Sequence, residues 1–186
     1  MNLSRKELIA RRRAFNIPGF GYKTLAEVGL DGDYVSPIQK TSNSTTGPIL
    51  IGKHWNSAKN ALQKRDLLVE FGYDVFSRFN KVLDEALKCA GMGRANVYIT
   101  QAFHLLPGTD KSQSIKLEHI RMSFREITIH ELDGRPVIAM GNTAQKACDR
   151  FGVEYIPVPH PSHRQMPVEE RVAALRDALC VSRQIQ

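Results

Sequence analysis

The sequence predicts a three-layer α/β/α domain with a central, mostly parallel four-stranded sheet. Four short apolar runs carry that prediction: Ile49-Leu50-Ile51, Val97-Tyr98-Ile99-Thr100, Val137-Ile138-Ala139-Met140 and Tyr155-Ile156-Pro157-Val158. They are continuous rather than alternating, as strands covered on both faces are. Helical periodicity separates them, and parallel strands need such crossovers. At 186 residues, 42% of them hydrophobic, the chain can bury a substantial core.

Ser4 with Glu7 three residues on forms a capping box, opening a helix that carries Arg11, Arg12 and Arg13 and fades near Pro18-Gly19. Those arginines read as a solvated basic face or as phosphate contacts. A short helical signal covers Thr24 to Val28. The turn-rich stretch from Gly29 to Gly47 reads as a loop, a lid or a tether. The first strand ends at Gly52, and Ser57 to Phe71 reads as one helix. Asp74 is expected to cap the next helix, which stops at Gly91. A loop containing Leu106-Pro107-Gly108-Thr109-Asp110 precedes a long helix from about Ser114 to Glu131. Asp133-Gly134 turns into the third strand. Asn142 or Thr143 is expected to cap the helix to Phe151, with Gly152 as its stop. Pro167 sits where the first turn of the last helix should begin. The division expected is an N-terminal basic helix and loop extension, 1–46, packed on a domain of 47–186.

The formal charge of +7 and a pI near 9.5 favour a polyanionic partner. Cys89, Cys148 and Cys180 lie far apart in helical, apolar stretches, which suggests neither a disulfide framework nor a metal cluster. The N-terminus lacks the apolar core of a signal peptide, and no apolar run reaches membrane-spanning length. A reduced cytoplasmic chain with no membrane partner is therefore expected, its oligomeric state left open.

Chemistry in open parallel sheets gathers at the carboxyl ends of the strands. There the chain places Gly52-Lys53-His54-Trp55-Asn56, Gln101-Ala102-Phe103-His104 and His160-Pro161-Ser162. Topology allows Lys53, His54, Gln101, His104 and His160 to converge. His160, held between two prolines, is the leading candidate, against the reading of a solvated turn histidine.

Four segments in this order resemble the motifs of the uracil-DNA glycosylase superfamily: Ile51-Gly52; Val97-Tyr98-Ile99-Thr100-Gln101 with Pro107; Val137-Ile138-Ala139-Met140-Gly141 with Ala144; and His160-Pro161-Ser162. The resemblance spans about Gly47 to Leu179. It implies an enzyme that flips a damaged nucleotide out of duplex or single-stranded DNA and breaks the bond from base to deoxyribose, in base-excision repair.

By that resemblance His160 donates to the leaving base's carbonyl oxygen, and Gly52 and Ser162 face the DNA backbone. Gln101 stands where relatives place an asparagine that reads the pyrimidine edge, the same amide on a longer arm. Phe76 looks like the aromatic that stacks on the flipped base, or else a core aromatic. His163, Arg164 and Met166 follow the last motif where relatives insert a side chain into the vacated stack, or else form a solvated loop. The first motif departs from the family's Gly-Gln-Asp-Pro-Tyr, Gly-Ile-Asn-Pro-Gly or Gly-Glu-x-Pro-Gly. The water-activating side chain is replaced, leaving His54 and Asn56 to place water, with Lys53 and Trp55 at the base. Lys53 adds a cation where the sugar itself turns cationic. One branch of the family holds an iron–sulfur cluster on four cysteines; three dispersed cysteines predict none, and no metal or other cofactor is expected. The leading function is a monofunctional DNA glycosylase for a uracil-type or modified pyrimidine. The alternative is an inactive glycosylase-fold protein that binds nucleic acid or a modified nucleotide, since fold does not carry activity. A different transfer on a modified base is a third option.

Overall fold

Aliphatic and β-branched runs form the sheet of the computed structural model, which describes residues 3–108 and 115–185. Strands β1 (Ile49–His54), β2 (Tyr98–Phe103), β3 (Val137–Met140) and β4 (Ile156–Val158) are all parallel, in the order β2-β1-β3-β4. Alternation along the strands splits their side chains between two cores. Ile49, Ile51, Tyr98, Ala102, Val137 and Ala139 enter one. Leu50, Ile99, Ile138, Met140 and Val158 enter the other. Helices α5 (Leu117–Glu126) and α6 (Asn142–Arg150) cover the first face, joined by α1 (Arg5–Ala14); α4 (Arg78–Cys89) and α7 (Val168–Ser182) cover the second. This is the three-layer α/β/α fold.

Several boundaries differ from those expected, each for a local reason. β1 runs two residues past Gly52 to His54, and β2 continues to Phe103, so Gln101 lies inside a strand. The helix expected over 57–71 breaks at Lys64 (φ −114°, ψ 24°) into α2 (Ala58–Gln63) and α3 (Arg65–Phe71). Ser77, not Asp74, caps α4, because Asp74 is occupied by the backbone N–H of Phe76 at 3.0 Å and the Lys64 ammonium at 2.5 Å. Gly141, at φ +84°, takes the cap position of α6 in place of Asn142 or Thr143. The helix expected to reach Glu131 ends at Glu126 and resumes as a single 3₁₀ turn over Thr128–Glu131; its expected start at Ser114, like Thr109 and Asp110, lies outside the described residues.

The three consecutive arginines of α1, Arg11, Arg12 and Arg13, serve the fold. Arg12 is buried and donates to the Asp31 carboxylate, to the Gly32 carbonyl at 3.0 Å and to the Tyr34 carbonyl at 2.8 Å. Arg13 pairs with the other Asp31 oxygen at 2.9 Å, and Arg11 reaches the Glu126 carbonyl. The segment they hold is a packed strap rather than a polar loop. Leu30, Tyr34, Val35 and Ile38 are buried, and Gln39 Nε2 donates to the Ile99 carbonyl at 3.2 Å and to Glu131 Oε1 at 3.1 Å.

A buried charged clamp leaves several polar groups stranded when one partner goes. Arg12→Met should therefore lower the unfolding free energy by about 3 kcal/mol in urea denaturation, whereas Arg13→Met, at a half-exposed pair, should cost under about 1 kcal/mol. Equal losses in the two variants would contradict the clamp.

Candidate active site

Chain order moves outward in both directions from β1, so a crevice opens where the carboxyl ends of β1 and β3 part. Two cavities meet there. The inner one, about 280 Å³, has Gly52, Gln101, Asp74, Phe79 and Asn80 in its walls. The outer one, about 600 Å³, is bounded by Gly141, Asn142, Thr143, His163 and Met166. Among the described residues, Lys53 and His160 line both.

Two glycines set the floor. Gly52 pairs with Gln101 in the ladder, and a Cβ at Gly52 would lie 2.7 Å from Gln101 Oε1. The bare backbone of β1 is what lets the amide of Gln101 lie across it into the cavity. A Cβ at Gly141 would lie 2.8 Å from His160 Cβ, and its φ of +84° already favours glycine.

His160 is held in one protonation state and one tautomer. The Ser162 backbone N–H donates to its Nδ1 at 3.1 Å, which leaves the proton of the neutral ring on Nε2. Burial, then the charges of Lys53 and His163, push its pKa down to about 4. The Phe79 ring packs beside it, centroids 5.6 Å apart. Arg171, buried on α7, donates to the Pro161 carbonyl, and the His163 N–H closes a turn onto the His160 carbonyl at 2.8 Å. The loop after β4 is thus tied down on two sides.

The remaining expected residues divide. His54 lines the inner cavity; its Nδ1 is buried without a partner, and burial followed by Lys53 and His160 pushes its pKa down to about 4. Asn56 also lines it, but its Oδ1 accepts from the Ser57 N–H at 2.9 Å and from Asn60 Nδ2 at 2.7 Å. Trp55 donates to the Gly72 carbonyl at 3.0 Å and pins the segment that follows. Ser162 lines the inner cavity, His163 the outer one, and Arg164 is exposed. Phe76 is 70% exposed and lies outside the cavity walls, where Tyr73 and Phe79 supply the aromatic surface. His104 does not converge with the others: it is buried beneath the strand, its Nε2 donating to Thr128 Oγ1, whose hydroxyl donates to the Gln101 carbonyl at 2.6 Å.

Asp74, Phe79, Asn80 and Arg171 carried no signal in their spacing. Asp74 is the carboxylate of the inner cavity, brought there by the turn before α4. Arg94 stacks on Tyr73, 3.6 Å from the ring centroid, and donates to Asn80 Oδ1 at 2.8 Å, stiffening that wall.

A three-layer α/β/α protein with a neutral imidazole and a strand amide lining one crevice at the carboxyl edge of its sheet is what fold and site define. Residues 55–180 match the family model described as the uracil DNA glycosylase superfamily, more than half of the chain, and the chain belongs to that superfamily. The match begins just past Lys53 and His54. No curated protein matches the sequence. Membership makes the protein glycosylase-like in general class, a hydrolase type that acts on DNA. The three cysteines sit on α4, α6 and α7, Cys148 fully buried. Among the described residues no three or more His, Cys, Asp or Glu side chains are grouped so as to hold a metal ion, and no helix is long and apolar enough to cross a membrane.

The two glycines should respond differently to alanine. Gly52→Ala meets the flexible end of a side chain, so stability should change by less than about 1 kcal/mol, while the Gln101 side-chain amide resonances shift. Gly141→Ala adds backbone strain and should cost about 1–3 kcal/mol. Thermal unfolding with amide NMR reads both.

The His160 ring should titrate near pH 4 by NMR rather than near the usual 6.5. Lys53→Met should raise that midpoint, since it removes a nearby positive charge that opposes protonation. The unfolded chain takes up a proton below about 6.5 that the folded chain refuses, so acidification from there toward 4 costs stability at this group. An unchanged midpoint in Lys53→Met would contradict the coupling.

Proposed function

We propose that the protein excises a uracil-type or modified pyrimidine base from DNA by hydrolysing the N-glycosidic bond. The observation that carries this reading is His160 lining both cavities with its Nδ1 accepting from the Ser162 N–H, which leaves the proton of the neutral ring on Nε2. Excision leaves negative charge on the departing base and positive charge on the sugar. A fixed, uncharged N–H placed at the base oxygen stabilises the first without proton exchange with solvent.

The inner cavity is at the lower end of small-molecule pockets, which run from about 300 Å³. It suits one flipped base, with Gln101 reading the edge and Phe79 or Tyr73 against the ring face. Flipping costs a few kcal/mol of stacking. The outer cavity, with the amino end of α6, His163 and Met166, would take the phosphodiester. Exposed Phe76 and Arg164 flank the crevice as further DNA contacts. His54 and Asn56 hold the attacking water, with the Asp74 carboxylate, itself paired with Lys64, in the same wall. Lys53 is the observation that favours a second reading, a protein that binds nucleic acid in this crevice without cleaving it, because its cation opposes the sugar charge.

Duplex and single-stranded oligonucleotides carrying uracil or modified pyrimidines should yield alkali-labile abasic sites. His160→Ala should slow their formation by about 10²–10³-fold, the usual effect of losing one such donor. Tight binding with no abasic product from any base supports the second reading. Product formed at an unchanged rate by His160→Ala removes the first.

A further inference from the structure

Lys53 has an unassigned place in this crevice, and its position in space is more informative than its place in the motif. Resting on the reading that the base enters the inner cavity and the phosphodiester the outer one, the deoxyribose that joins them must cross the junction. Lys53 and His160 are the residues that line both sides of that junction. On that reading the Nε2 proton of His160, whose Nδ1 accepts from the Ser162 N–H, serves the base oxygen. Lys53 is then the side chain left beside C1′.

Its amine is uncommitted. Lys53 makes no hydrogen bond or ion pair with any described residue. Asp74, the carboxylate among the described residues of the inner cavity's walls, is already bound by Lys64 at 2.5 Å. A cation at C1′ hinders departure of the base, so this residue contributes nothing to the hydrolytic step. The product changes the balance. Once the base has gone, C1′ is an aldehyde in equilibrium with its closed-ring hemiacetal, and a primary amine beside an aldehyde is a nucleophile placed on its electrophile.

We propose that Lys53 gives the protein a second activity, abasic-site lyase. Nζ adds to the C1′ aldehyde and water leaves, forming an imine. The imine makes the C2′ proton acidic. That proton passes to solvent, a C2′–C3′ double bond forms, and the C3′–O bond breaks with its electron pair on the departing 3′ phosphate. Water then adds to the imine carbon, which returns the free amine of Lys53 and releases an unsaturated aldehyde on the 5′ side. No oxidant or reductant enters, and water consumed balances water released.

The test uses the full chain and a duplex carrying a preformed abasic site, so that base excision is not required. Borohydride reduces the imine to a stable amine and locks protein to DNA. The expected result is a covalent adduct that peptide mass mapping places on Lys53, together with strand breakage without alkali. Lys53→Arg, which keeps the charge but is a poor imine former, should lose both by tenfold or more. Lys81→Arg, at an exposed position on α4, should keep both. An adduct mapped to another amine, or nicking undiminished in Lys53→Arg, overturns the proposal. So does release of a base from a uracil duplex with no adduct on the abasic one, which leaves excision standing alone. An adduct on Lys53 without base release from any oligonucleotide supports Lys53 and removes the excision reading instead.

Discussion

Parallel pairing of β1 with both β2 and β3 is the constraint on which the rest depends. It brings three strand ends to one edge and sets Gly52 in register with Gln101. It also opens the crevice, because the chain steps outward from β1 to β2 on one side and from β3 to β4 on the other. Everything that follows is close approach at that edge. An absent Cβ lets an amide cross the strand, and a second absent Cβ lets the loop after β4 press its histidine against the turn after β3.

The electrostatics follow from the same crowding. His54 and His160 are surrounded by protein and by each other's neighbourhood, so the charged form of each loses its water without gaining a carboxylate. Asp74 neutralises Lys64 rather than Lys53. Behind the strand, Glu131 is buried where Tyr98, Thr100 and Gln39 donate to it, and burial still pushes its pKa up to about 7. That carboxylate ties the strap to β2 and, through the neighbouring Thr128 hydroxyl, the backbone of Gln101 is held from the same side. The polar support of the crevice thus comes from the face opposite to the cavity.

Much of the fold was legible because strands buried on both faces have few alternatives. All four strands lie at the expected runs, and the family's motifs could be matched in order. Helix ends were less legible. Asp74 looks like a cap in one dimension, but it was already claimed by Lys64 ten residues earlier. Arg12 looked like part of a charged face because the sequence does not show Asp31 folding back over it. Within the crevice, Gln101, fixed by strand register, and His160, two residues past the end of β4, lie where the strand ends expected from the sequence place them. Residues reached through turns were not legible: Phe79 lines the cavity where Phe76, three residues earlier, turns outward.

Periodicity, the positions of glycine and proline, and the order of the motifs were enough by themselves to establish a parallel α/β/α sheet with polar loops at one edge. Those are properties of adjacent residues, and adjacent residues dictate backbone conformation and face. Which imidazoles line the crevice and which lies beneath the strand, which carboxylate lines the inner cavity, and which described side chains line both cavities were decided only in three dimensions. Each depends on packing between segments far apart in the chain, where burial and the nearest charge set the chemistry of a side chain whose identity alone leaves it open.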